Sequence, residues 1–152
     1  MMKLKTNGFH KFMTLPWHGK WLYCNTALWL IAVKAGLCPL PFDRLRGWIT
    51  TVDKCAGQPV VVKELREITE AIARLGRFLA LLRINCLPQA LVGQRLLSRK
   101  SFDVQLKIGV LKNLDDQLSA HAWLEYQGQV ILGDLRGLGQ FTVFPPLDLA
   151  RQ

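Results

Sequence analysis

Partway along the chain the spacing of apolar residues changes from that of a helix to that of a strand, and this switch restricts the fold more than any other feature. Leu65, Ile68, Ile72, Leu75, Leu79 and Leu82 recur at alternating steps of three and four. That spacing gathers them on one helical face and predicts a helix from Val62 to about Arg83. From Val104 onward, Val104, Leu106, Ile108 and Val110 alternate with Gln105, Lys107 and Gly109, the two-residue period of a strand. A helix is expected earlier, from about Trp17 to Gly36, closed by that glycine and by Cys38-Pro39-Leu40-Pro41. Another should start at Asn85-Cys86 and run to about Arg99, because Pro88 suits a first turn. His121 to Tyr126 and Gln129 to Asp134 read as strands around a Gln127-Gly128 turn, and Phe141 to Phe144 as a short last strand. Helices first and antiparallel strands after predict an α+β fold, with the third helix packed on a small antiparallel sheet. Residues 1–60 read as a basic, helical N-terminal region and 61–152 as the core, together one compact unit, as suits 152 residues.

Composition narrows the function. Half of the residues are apolar and only 20% charged, which is incompatible with a disordered chain. The net charge of +9 favours acidic partners, but no zinc-finger spacing or basic-aromatic motif points to nucleic acid. Cys24, Cys38, Cys55 and Cys86 are 14, 17 and 31 residues apart with no C-x-x-C pair, so no structural metal and no cofactor is expected. No cleavable secretory segment is visible, so reduced thiols in a cytoplasmic setting are the simplest reading. The stretch from Trp21 to Cys38 resembles a membrane anchor only superficially. It contains Asn25, Thr26 and Lys34, and its cleanest run, Ala27 to Val33, is far short of the roughly 20 residues that span a bilayer.

The chemistry gathers on three residues. Cys86 is expected in the first turn of a helix, where unsatisfied N–H groups and the positive end of the macrodipole favour thiolate over thiol. Those N–H groups could also hold the oxyanion of a tetrahedral intermediate. If Gln127-Gly128 is a two-residue hairpin loop, regular pairing puts His121 opposite Asp134, with Trp123, Glu125, Val130 and Leu132 on the same face. By itself this pair could equally be structural; a helix-start cysteine tips the reading toward a thiolate nucleophile, His121 as base and Asp134 as its orienting acid. Glu125 is a second acid on that face, displaced from His121 along the strand. Cys24, inside an apolar helix, Cys38, against a proline, and Cys55, in a connector, read as packed or idle thiols. His10 and His18 read as solvated.

The order of a cysteine at a helix start, a histidine on a strand and an aspartate on the next resembles the transglutaminase-like cysteine-protease superfamily. More narrowly, Cys86-Leu87-Pro88-Gln89-Ala90, Leu106-Lys107-Ile108-Gly109-Val110, His121-Ala122-Trp123-Leu124-Glu125 and Gly128 look like the leader peptidases of lasso-peptide biosynthesis. Pro41-Phe42-Asp43-Arg44-Leu45-Arg46 is similar to their N-terminal region. The resemblance implies a peptidase that removes the leader from a ribosomally made precursor, freeing an amine that a separate ATP-dependent macrolactam cyclase joins to an acidic side chain. It also implies a separate leader-recognition protein, since no such domain fits before Trp17; the helix from Val62 or that from Trp21 is expected to contribute to its docking. A transglutaminase-like acyl transferase and a non-catalytic precursor-binding scaffold are the alternatives. One departure stands out. Where the family usually has Gly, an apolar residue and Pro after the catalytic helix, this chain has Ser101-Phe102-Asp103, and Ser in a left-handed cap is less favourable than Gly by ~1 kcal/mol.

Overall fold

The computed structural model describes residues 17–37, 44, 47, 61–79, 84–112 and 117–144. Three helices, α1 (Trp17–Gly36), α2 (Val62–Phe78) and α3 (Cys86–Ser98), precede four strands, β1 (Val104–Lys112), β2 (Leu118–Tyr126), β3 (Gln129–Leu132) and β4 (Thr142–Val143). The sheet has the order β3-β2-β1-β4, and every pairing is antiparallel. The α+β architecture expected from the change of period is therefore the one observed.

Each helix follows from its side chains. In α1, Thr26, Leu30 and Val33 are fully buried, lying on one side of the helix at steps of four and three. Trp21, Leu28 and Ile31 occupy the opposite, exposed side, so this helix is apolar on both. The face expected of α2 is the one that packs: Ile68 and Ile72 are buried, and Leu65, Leu75 and Leu79 lean on the same core. Its outer side is laced by Arg66–Glu70 and Arg74–Glu70 ion pairs at four-residue spacing, 3.0 and 2.9 Å long. Arg74 also donates to the Tyr23 hydroxyl of α1 at 3.3 Å. The helix ends at Phe78, sooner than the apolar spacing suggests, because Leu79 leaves helical geometry (φ −89°, ψ 19°), three residues after Gly76, a poor helix former. Leu82 lies outside the described residues.

The end of α3 is a left-handed cap. Ser101 has φ 64°; its N–H donates to the Ser98 carbonyl at 3.1 Å, and that of Phe102 to the Leu97 carbonyl at 3.1 Å. This is the double bond of a Schellman motif, with buried Phe102 as its apolar anchor. Ser101 adopts this left-handed conformation although Gly would be more comfortable there.

Leu30 and Val33 of α1, Ile68 and Ile72 of α2, Leu91 and Leu97 of α3, and Val104, Ala122, Leu124 and Leu132 of the sheet form one core, so residues on both sides of position 60 share it. Close approach of α3 to the sheet depends on Gly93: a Cβ there would fall 2.6 Å from Leu124 Cδ1 and 3.0 Å from Leu132 Cδ2. Arg95 spans α3 and α1, its guanidinium carbon 4.1 Å from the centre of the Trp29 ring. Burial, helped by neighbouring Arg99, lowers the pKa of Arg95. No helix among the described residues is long and apolar enough to cross a membrane.

Candidate functional site

Asn85 is the extended residue before α3 (φ −76°, ψ −172°) and makes no side-chain cap bond; the first turn carries no acidic residue. Cys86 is therefore the first helical residue, half-buried against the core and free of any disulfide. Pro88, two positions on, has no N–H, so the amides of Cys86 and Leu87 are the first-turn donors without intrahelical acceptors. An electron-rich group beside Cys86 meets two outward N–H groups and the positive end of the helix.

The direction of α3 fixes which end of the sheet this thiol serves. At the far end of the helix, Phe102 meets Tyr126 edge-on with ring centres 5.6 Å apart, and midway Gly93 sits over Leu124. The N-terminus thus points back toward the start of β2. Seven helical residues separate Gly93 from Cys86, about 10 Å of rise; three strand residues separate Leu124 from His121, also about 10 Å. Cys86 and His121 consequently lie at the same end of the molecule.

Strict alternation along β2 divides its side chains. Ala122 and Leu124 enter the core under α3, whereas His121, Trp123 and Glu125 take the other face. There the His121 ring stacks on Trp123 (centres 6.2 Å apart, 17° between planes) and tilts against Phe141 (5.9 Å, 51°). Trp123 Nε1 donates to Glu125 Oε1 at 2.8 Å, so Glu125 steadies the ring on which His121 rests. Gly109, paired with His121 in β1, leaves room for this cluster: a Cβ there would come 3.0 Å from Phe141 Cβ and 3.1 Å from the Trp123 ring.

The hairpin itself starts as expected. Gln127 and Gly128 both have positive φ, 50° and 76°, which is the two-residue loop of a twisted hairpin, and Tyr126 pairs with Gln129 and Glu125 with Val130. The next pair is Leu124 with Leu132, with a register shift between Leu124 and Glu125. Ile131 is the extra residue, and the bulge overturns the regular pairing that would set Asp134 across from His121. Leu132 is moved as well; it faces the core with Leu124 and not the His121 face.

What β3 delivers to the imidazole is a backbone carbonyl. The strand ends at Leu132, and Gly133 turns with φ 82°, pressed so closely on β2 that a Cβ would fall 2.9 Å from the Ala122 carbonyl oxygen. His121 Nε2 lies 2.7 Å from the Gly133 carbonyl oxygen. A carbonyl only accepts, so Nε2 carries the proton and Nδ1 of the neutral ring is the basic nitrogen. Asp134 is the next residue along and is exposed. Among the described residues, no hydrogen bond joins Asp134 to His121 or His121 to Cys86. Reading the sequence missed Gly133 because it was absorbed into a strand; an isolated Gly in a strand pattern is itself a signal of a bulge or a close backbone approach.

Cys24 is exposed on α1. Cys38, Cys55 and His10 lie outside the described residues. No group of three His, Cys, Asp or Glu side chains among the described residues could hold a metal ion.

The transglutaminase-like superfamily matches the chain over residues 27–145, from inside α1 to just beyond β4. No curated protein and no solved structure gives a significant match. A helix opening on cysteine and laid across a four-stranded antiparallel sheet, with histidine on the second strand, is thus found in a chain that belongs to the transglutaminase-like superfamily, whose members generally include cysteine peptidases and acyltransferases.

Proposed function

We propose that the protein is a cysteine peptidase that removes the leader from a ribosomally synthesised lasso-peptide precursor, with Cys86 as nucleophile, His121 as general base and acid, and Asp134 as the acid that supports the imidazolium. The observation that carries this reading is a thiol at an uncapped, acid-free helix start, supported by an imidazole toward the same end of the sheet that is tethered through Nε2, so that Nδ1 is its basic nitrogen.

In the first half-reaction Cys86 Sγ, its proton taken by His121 Nδ1, attacks the carbonyl carbon of the scissile peptide. Negative charge gathers on the carbonyl oxygen, where the Cys86 and Leu87 amides are the available donors. As the C–N bond breaks, imidazolium delivers its proton to the departing nitrogen, which becomes the N-terminal amine of the core peptide; the leader remains as a thioester on Cys86. In the second half-reaction His121 deprotonates a water, hydroxide adds to the thioester, and the leader leaves as a carboxylic acid while the thiol is regenerated. The Gly133 carbonyl holds the tautomer, and the carboxylate of Asp134, one residue on, contributes negative charge to the field around the imidazolium.

Partners follow from the resemblance: the precursor peptide, a separate leader-recognition protein, and an ATP-dependent macrolactam cyclase that consumes the freed amine. The decisive experiment mixes the protein and its leader-recognition partner with precursor and weighs the products. Leader and core should appear as separate masses, leader ending in a free acid. An amide-linked leader in place of the acid would indicate acyl transfer to an amine, and undiminished cleavage by a folded Cys86→Ala variant would end the assignment.

A further inference from the structure

The carbonyl of Ile84, two residues before the nucleophile, stands where the chain turns into α3, and Ile84 is buried. A carbonyl in such a part-buried position is stabilised by a donor. Asn85 makes no side-chain cap bond; the donor comes from within the helix, where Gln89 Nε2 lies 3.1 Å from the Ile84 oxygen. Gln89 can fold back in this way because α2 makes room for it. A Cβ on Gly76 would fall 2.5 Å from the Gln89 amide carbon and 2.5 Å from Nε2, so the amide fills the space that any side chain at 76 would take. A glycine in the last turn of a helix is unfavourable in isolation, and the seated amide explains why one sits there.

From this geometry we infer that Gln89 is a positioning residue for the nucleophile, locking the peptide that leads into Cys86 between α2 and α3 by way of Gly76 and the Ile84 carbonyl. The inference rests on the assignment of Cys86 as nucleophile and goes beyond it to what holds that residue in place. The orientation of the peptides at 84–86 sets where the Cys86 and Leu87 N–H groups and the thiol point, and a misplacement of about 1 Å in such a constellation lowers rates by about a hundredfold. Gln89 touches neither thiol nor substrate in this scheme; it acts through the backbone.

Two variants approach the lock from opposite sides. Gln89→Met keeps length and removes the donor; Gly76→Ala leaves Gln89 intact and evicts its amide. The readout is the rate of alkylation by iodoacetamide across pH, followed separately at Cys86 and Cys24 by peptide mass spectrometry, with thermal melting of each protein. Both variants should slow Cys86 roughly tenfold at neutral pH, with Cys24 unchanged. Ile68→Val, a change in the α2 core that lies outside the lock, serves as the control for destabilisation and should leave the Cys86 profile in place. The lock is overturned if both variants keep the wild-type profile, or if Ile68→Val slows Cys86 as much at a similar loss of melting temperature. If wild-type Cys86 reacts no faster than Cys24, the nucleophile assignment itself fails, an outcome distinct from either of these.

Discussion

The N-termini of α2 and α3 are built in opposite ways. The start of α2 is closed: Glu64 stands in its first turn, donates its N–H to the Val61 carbonyl at 2.9 Å, and places its carboxylate 3.2 Å from Lys100. A negative side chain thus answers the positive helix end, the ordinary stabilising arrangement. Neither helix has a side-chain cap, but the start of α3 also lacks an acid, and a proline removes one of its donors. What occupies its positive end is a thiol, and the turn is held from behind by Gln89 at the Ile84 carbonyl. One end is arranged for stability. The other leaves its N–H groups and partial charge open to whatever negative charge develops at Cys86.

Variants can break that contrast or sharpen it. Replacing Cys86 by Ala should reduce leader cleavage about a thousandfold or more, to background, with the melting curve retained; product masses and circular dichroism check it. His121→Ala should lower cleavage about 10²- to 10⁴-fold. Asp134→Asn should lower it by about tenfold or less, because the Gly133 carbonyl still holds the ring in its tautomer. Comparable losses in both would show that the carboxylate, not the carbonyl, orients the base. Making α3 resemble α2 is the sharper trial. Asn85→Asp puts an acid at the open helix end, so alkylation of Cys86 should slow roughly tenfold at neutral pH while melting temperature holds or rises, helix stability and thiol reactivity moving in opposite directions. The reverse change, Glu64→Gln in α2, should cost about 0.5 kcal/mol of stability, read by denaturant titration, and leave cleavage at wild-type rate.

How far the site could be read from the sequence depended on which forces placed each residue. Cys86 was legible because a helix start is a local matter: Asn85 before it, Pro88 after it, and good helix formers beyond. His121 was legible as a strand residue facing away from Ala122 and Leu124, since alternation needs only the period of two. Asp134 was tied to His121 through an assumption of unbroken pairing, and pairing is not local. Ile131 bulges, Gly133 turns, and the atom brought to the imidazole is a carbonyl oxygen, which every residue possesses and no sequence pattern marks. Gln89 was similarly silent. Its spacing from Cys86 looks like that of any helix residue, and its role exists only because Gly76, on another helix, leaves space for its amide.

The sequence by itself thus determined the α+β order, the helix that opens on Cys86 and the strand that carries His121, because hydrophobic period and helix-start chemistry act over a few residues. Tertiary structure alone decided that α3 runs back toward the His121 end of β2, that β3 presents Gly133 and not Asp134 to Nε2, and that Gln89 braces the turn before the thiol. Those choices were made by packing α3 on the sheet at Gly93 and by the bulge in β3, where contacts between residues distant in the chain outweigh local preference.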